Sequence, residues 1–220
     1  MGAALTDRTR VRRLPHHQVD DRAALDAVLD AGRVAHVGVI ADGVPLVVPF
    51  AYARDGDLIL VHGSTGSRAV RWLATGAPTS LTISLLDGYV LARAAVEVSM
   101  RYRSAILMGT FTRVDDPGEA LAGLRAVSEH SVPGRWDDLR PPTRKELAST
   151  AVLTLAITEW SLKVNDGWPT DSDEDRARRV WAGVVPVTAT LGTPRPDPYL
   201  PRDVSAPVYL SEMPVPGAHT

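Results

Sequence analysis

The chain has 220 residues, 45% apolar and 23% charged, a composition that can fold around a sizeable core. Its formal net charge of -2 gives no general pull toward nucleic acid or an anionic membrane. Cysteine is absent, which excludes disulfides, thiolate metal sites and cysteine nucleophiles and fits a reducing, cytoplasmic setting.

Residues 1–19 read as an extended N-terminal arm. It has arginines but no apolar stretch of a secretory signal, and no run in the chain approaches the ~18 apolar residues of a membrane span. Asp20 and Asp21 offer capping oxygens to a helix whose apolar stripe is Leu25, Val28 and Leu29, with Gly32 fit to end it. Arg33 to Ile40 is a β-branched strand, Ala41-Asp42-Gly43 a hairpin turn, and Val44 to Tyr52 the returning strand. Pro45 and Pro49 confine that strand to an edge or a bulge. Asp55-Gly56 is a second tight turn, and Asp57 to His62 a third strand. HGSTGSR, His62 to Arg68, then opens a helix that stops at Gly76.

Thr79 to Leu86 alternates as a half-buried strand, Asp87-Gly88 predicts a turn, and Tyr89 to Ser99 a further strand. Tyr102 to Val114 predicts one long strand with Gly109 at a bulge or a close approach. Asp116-Pro117-Gly118-Glu119 starts a helix with cap, N1 proline and N3 glutamate. Thr143 to Glu146 repeats the capping pattern, and Ala151 to Val164 predicts the last long strand. Residues 20–187 therefore form one domain: a mainly β barrel, antiparallel, with peripheral helices. Residues 188–220 are a proline-rich tail that wraps the surface.

Three clusters could carry chemistry. In HGSTGSR, backbone amides around Ser64 to Ser67, the serine hydroxyls and Arg68 could hold a phosphate, since the guanidinium fork bonds two oxygens. The same loop also reads as a plain helix cap with Arg68 in solvent. In RYRS, Arg101 and Arg103 point one way and Tyr102 and Ser104 the other. One face could meet an anionic ligand, or the arginines could pair with carboxylates. In VPFAY, Phe50 and Tyr52 could flank a planar ring or pack in the core. No HExxH, no metal-spaced histidine pair and no GxSxG elbow is present.

The order VPFAY, HGSTGSR and YRSAILMGT resembles the flavin-nucleotide-binding proteins related to pyridoxamine 5′-phosphate oxidase, nearest their nitroimidazole-reductase-like branch. The family motifs stand here as Val48-Pro49 with Tyr52, His62 to Arg68, Tyr102-Arg103-Ser104, Lys163, and Trp181-Ala182-Gly183-Val184-Val185-Pro186. The resemblance implies an FMN-binding split barrel of Greek-key type that forms a homodimer, with FMN in grooves at the subunit interface. It implies that Val48, Pro49, Phe50, Ala51, Tyr52, His62, Gly63 and Ser64 line the ring and ribityl chain. Ser67 and Arg68 would meet the phosphate, with Arg103, Ser104 and Lys163 completing the site. The implied activity is an oxidoreductase that passes electrons from NAD(P)H through FMN to a small organic acceptor, with His62 beside the substrate. A non-catalytic flavin carrier, or the same barrel holding haem or a deazaflavin, is the alternative. Neither nucleic acid nor membrane is an expected partner.

Overall fold

A computed structural model describes residues 6–218. The chain begins with β1 (Gln18–Val19), α1 (Arg22–Ala31), β2 (Val34–Ala41), β3 (Val44–Asp55), β4 (Leu58–Ser64) and α2 (Arg68–Ala74). β5 (Pro78–Leu91), β6 (Ser99–Thr110), β7 (Thr112–Arg113), α3 (Pro117–Ser131) and α4 (Arg144–Ala148) follow. β8 (Thr150–Ala156), β9 (Glu159–Asn165), α5 (Asp173–Arg176) and β10 (Gly183–Pro186) complete the order. The ladders are antiparallel in the order β1-β9-β6-β5-β2-β3-β4-β8-β7, with β10 paired to β5. This is a mainly β split barrel with helices at its periphery.

The split is made by strands that change partner along their length. β3 pairs β2 through Val44–Ala51 and β4 through Tyr52–Asp55. Pro45 and Pro49 lie in the half that β4 does not pair, where a missing N–H costs no ladder bond on that side. β5 likewise pairs β2 through residues 79–82 and β10 through residues 88–91. Alternation along the strands sends Val37, Tyr52, Ile59, Leu81, Ile83, Leu107, Leu153 and Leu155 into one core, closed by Leu25, Val28 and Leu29 of α1. On the outer side of β3, β4 and β8 sits α3. Its Gly123 is required there, because a Cβ would stand 2.8 Å from Val152 Cγ1.

The helix starts follow the local sequence. Asp21 accepts from the Ala23 and Ala24 amides, and Asp116 from the Glu119 amide at 2.8 Å. Thr143 and Glu146 bond reciprocally as a capping box at α4.

Three expectations are corrected. Asp87-Gly88 does not turn the chain: β5 runs through it with a bulge, and glycine is needed because β10 passes close, with Val185 O 2.9 Å from a Cβ built there. Ala151 to Val164 is a hairpin, not one strand. It turns at Ile157-Thr158, where the buried Ile157 donates its amide to Asp57 O at 2.8 Å. The Tyr102–Val114 strand is broken at Phe111, whose ring is buried, and Gly109 stays in register opposite Thr79. Gly32 does end α1, with an ordinary φ of -72°. It is glycine because a Cβ would meet Tyr52 Oη at 2.5 Å.

Both ends lie against the barrel. Thr6 and Arg8 bond the Glu159 carboxylate, while residues 1–5 of the expected arm lie outside the described residues. After β10 the chain runs exposed to a single turn at Val208–Ser211. Gly217 then docks by donating to Ala31 O at 2.9 Å. Among the described residues no helix is long and apolar enough to cross a membrane.

Candidate functional site

The outer face of the sheet gathers one subset of the expected residues. Pro49, His36, Thr82, Ile106 and Ser161 stand in one row across β3, β2, β5, β6 and β9. Two residues along, Ser84, Ser104 and Lys163 form another, with the Ser84 and Ser104 hydroxyls 3.1 Å apart. Pro49 and Ala51 of β3 and His62 and Ser64 of β4 are exposed on the outer face. This face is also apolar: Val34, Ile40 and Val47 are all about half exposed or more, Val47 by 64%.

The same alternation removes others. Val48 is half-buried against the core, Phe50 is buried, and Tyr52 is fully buried with its hydroxyl donating to Leu29 O at 2.5 Å. Burial pushes the Tyr52 phenol far above its ordinary pKa. The Phe50 and Tyr52 rings therefore belong to the core. Gly63 also points inward, where a Cβ would meet Val70 Cγ2 at 2.7 Å. Arg103 lies on the opposite face from Ser104. Its guanidinium forks onto Asp87 at 2.7 and 3.0 Å and donates to Gly217 O at 2.6 Å. It anchors the tail instead of completing the groove.

The HGSTGSR loop is more closed than its composition suggests. The Thr65 amide donates to Ser149 O at 2.9 Å, the Gly66 amide to Ser64 Oγ at 3.2 Å, and the Ser67 amide to Ser64 O at 2.9 Å. What the loop offers an anion is the Ser67 hydroxyl, which caps nothing, and Arg68. Arg68 is exposed and paired with Asp42 Oδ2 at 2.9 Å, so a phosphate would displace a surface carboxylate.

Beside this loop lies a groove of about 530 Å³ lined by Ala51 and His62 from the barrel and by Leu124 and Val127 of α3. Trp136, Leu139, Arg140 and Pro142 of the following loop and Glu146 of α4 close it. The His62 ring is open to this groove and has no hydrogen-bond partner among the described residues. Desolvation by the surrounding wall pulls its pKa below the ordinary imidazole value, so it is neutral at pH 7. His130, by contrast, bonds Gly32 O through Nε2, and His17 bonds Val164 O through Nδ1. At the groove mouth Arg140 forks onto Glu146 at 2.6 and 2.9 Å. That guanidinium, with the Thr143 amide and hydroxyl, holds the Glu146 carboxyl down to about 2. The α3–α4 wall was invisible to motif reading. Its sequence signals, the Asp116–Glu119 cap and the Thr143–Glu146 box, show where its helices start but not what they face.

A split barrel with an anion-competent loop and an apolar groove at its open face defines a protein of the flavin-binding split-barrel class. The chain belongs to the pyridoxamine 5′-phosphate oxidase family, whose model matches residues 21–164. No curated protein matches it. Among solved structures it is similar to the FAD and heme binding protein of Mycobacterium smegmatis. They share 43% identity over 90% of this chain and 98% of that one, with a TM-score of 0.86. It is similar also to the flavocytochrome Anf3 of Azotobacter vinelandii, at 38% identity over 96% and 98% of the two chains, TM-score 0.90. A structure from Bacteroides thetaiotaomicron named for 5-nitroimidazole antibiotic resistance shares the fold, at 20% identity over 67% and 86%, TM-score 0.56.

Proposed function

We propose that this protein is a flavocytochrome-type redox protein that holds one flavin and one haem per chain. The observation that carries the reading is the 43% identity, over nearly the full length of both chains, to a protein named for FAD and haem. That likeness favours FAD over the FMN implied by the motifs alone. The reading keeps the homodimer: the exposed apolar face of β2 and β3 is suited to a second copy, which would cover Val34, Ile40 and Val47.

The residues present suit both groups. For the flavin, Pro49 and Ala51 present a small, flat surface, while Ser67 and Arg68 can meet phosphate oxygens. For haem, His62 is a neutral imidazole with no partner among the described residues, in a largely apolar groove within the ~300–1,000 Å³ typical of ligand sites. Arg140 stands at the mouth, where a propionate could take the place of Glu146. When bound, such groups supply two-electron and one-electron chemistry respectively. The chain's own part is to keep His62 deprotonated, to shield that groove from water on the α3 side, and to supply cations at its rim. NAD(P)H as donor and a small organic molecule as acceptor complete the reading as an oxidoreductase.

Absorption spectra of the full chain, titrated separately with FAD and hemin, test this. We expect a bound flavin spectrum and a shifted Soret band in the wild type. His62→Ala should abolish the Soret shift and leave FAD binding intact. Arg68→Ala should weaken FAD by about 1.5–3 kcal/mol, as expected for a lost charge-assisted bond. A wild-type chain that binds neither group overturns the reading. Bound flavin that NAD(P)H cannot reduce, under anaerobic conditions, would leave a carrier rather than an oxidoreductase.

A further inference from the structure

The wall of the His62 groove is a loop, residues 132–143, that carries Trp136, Leu139, Arg140 and Pro142. It has no strand or helix pairing of its own beyond one short turn at Trp136–Asp138. Besides the Arg140–Glu146 fork and an Arg125–Asp137 ion pair at 3.6 Å, two groups hold it. From α3, the Glu129 carboxylate accepts from the Gly134 amide at 2.8 Å and the Trp136 amide at 2.9 Å. From the C-terminal tail comes Tyr209. Its hydroxyl donates to Asp138 Oδ2 at 2.6 Å and accepts from Arg135 Nη1 at 3.0 Å. Its side chain also covers Gly134, which has a φ of +81° and would bring a Cβ within 3.2 Å of Tyr209 Cβ.

The tail that delivers Tyr209 is built as a tether and a clip. Residues 188–206 are exposed, and the backbone bonds they make are local, Leu200 N to Asp197 O and Val204 N to Pro201 O. Residues 207–217 are docked at two points. One is Tyr209 on the groove wall. The other is Gly217, held by Ala31 O at 2.9 Å and by Arg103 at 2.6 Å. A segment fixed by few bonds at the end of an exposed tether opens locally at lower cost than the barrel it lies on.

We infer that Tyr209 is a positioning residue for the His62 groove: the segment 207–217 is a latch that holds the loop 132–143 in place as the groove wall, and its release frees that wall to move away from His62. The assignment of haem to the groove rests on the function proposed above; the latch itself rests on the hydrogen bonds just described.

The test uses the full chain without added cofactor, as wild type, Tyr209→Phe and Tyr209→Ala. Amide hydrogen exchange is followed across the chain, and the His62 pKa by NMR titration. Tyr209→Phe keeps the ring over Gly134 and loses the hydroxyl bonds, so exchange at residues 132–142 should quicken by ~2- to 10-fold. Tyr209→Ala should exceed that. In both, the His62 pKa should rise toward the ~6.5 of free imidazole as the wall moves away from the ring. In separate samples loaded with hemin, its release to excess apomyoglobin should quicken in the same order. Unchanged exchange and an unchanged His62 pKa in a folded Tyr209→Ala chain overturn the latch. So does a rise spread evenly over the barrel strands, which would mean general destabilisation. A wild type that takes up no hemin refutes the haem reading alone, because the exchange and titration arms still decide the latch.

Discussion

At the scale of single residues, Tyr52 shows how a motif position can be conspicuous and yet face away from the ligand. Period-two alternation puts Phe50 and Tyr52 on one side of β3 and Pro49 and Ala51 on the other. The side that turned inward holds the larger rings, because burying them stabilises the barrel most. Tyr52 then finds a polar partner at the end of α1, Leu29 O, and lies 5.1 Å from the His130 ring. Tyr52→Phe should leave that carbonyl without its donor and lower stability by about 1–3 kcal/mol. Urea denaturation would measure it. Flavin affinity should not change, and a loss of flavin without a loss of stability would return Tyr52 to the groove. The sequence spelled out which residues share a face with Tyr52, but which face is inside depends on strands far along the chain.

At the scale of elements, local rules carried the helix starts and failed wherever partners are remote. Asp21, Asp116 and the Thr143–Glu146 box act within three residues of themselves, so their caps are readable from the chain alone. The β8–β9 hairpin was missed because Ala156-Ile157-Thr158 has no glycine, proline or asparagine to mark a turn, and Ile157 is apolar because it is buried. Arg103 was legible as a cation on a defined strand face, but its carboxylate, Asp87, lies on the neighbouring strand. Of the candidate groove, the strand and loop that carry Ala51 and His62 were legible, and how α3, the loop and α4 face them was not, because those contacts are remote in sequence. The outer face of β2 and β3 makes its own prediction. If a second copy covers it, Val47→Lys should place a charge in that interface and shift the chain to monomers. Sedimentation velocity would show this, and flavin occupancy should fall with it. A Val47→Lys chain that sediments like wild type would refute the dimer on this face.

At the scale of the molecule, proton linkage runs through the histidines. His17, His62 and His130 all have pKa values below the ordinary one, with desolvation the largest cause in each. An unfolded chain takes up protons on these rings near pH 6.5, whereas the folded one does so only at lower pH. Below about pH 6.5 the unfolded state therefore binds more protons, and stability falls with falling pH. Their contribution is whole above that value and shrinks as pH drops toward the folded pKa values. The thermal midpoint should decline between about pH 7.5 and 5.5, and His130→Asn should flatten the decline. A midpoint that stays level in the wild type over that range would contradict the lowered pKa values of these rings. Glu146 and its neighbours enter later, since its carboxyl stays ionised down to about 2.

That carboxylate serves two masters without binding them to each other. Glu146 accepts from the Thr143 amide at 2.7 Å and the Thr143 hydroxyl at 3.0 Å, and its own amide bonds Thr143 Oγ1 at 3.2 Å. None of these requires Arg140. The guanidinium can swing to another anion while the first turn of α4 stays closed, so the rim of the groove can exchange its counter-charge with no rearrangement of the backbone that frames it.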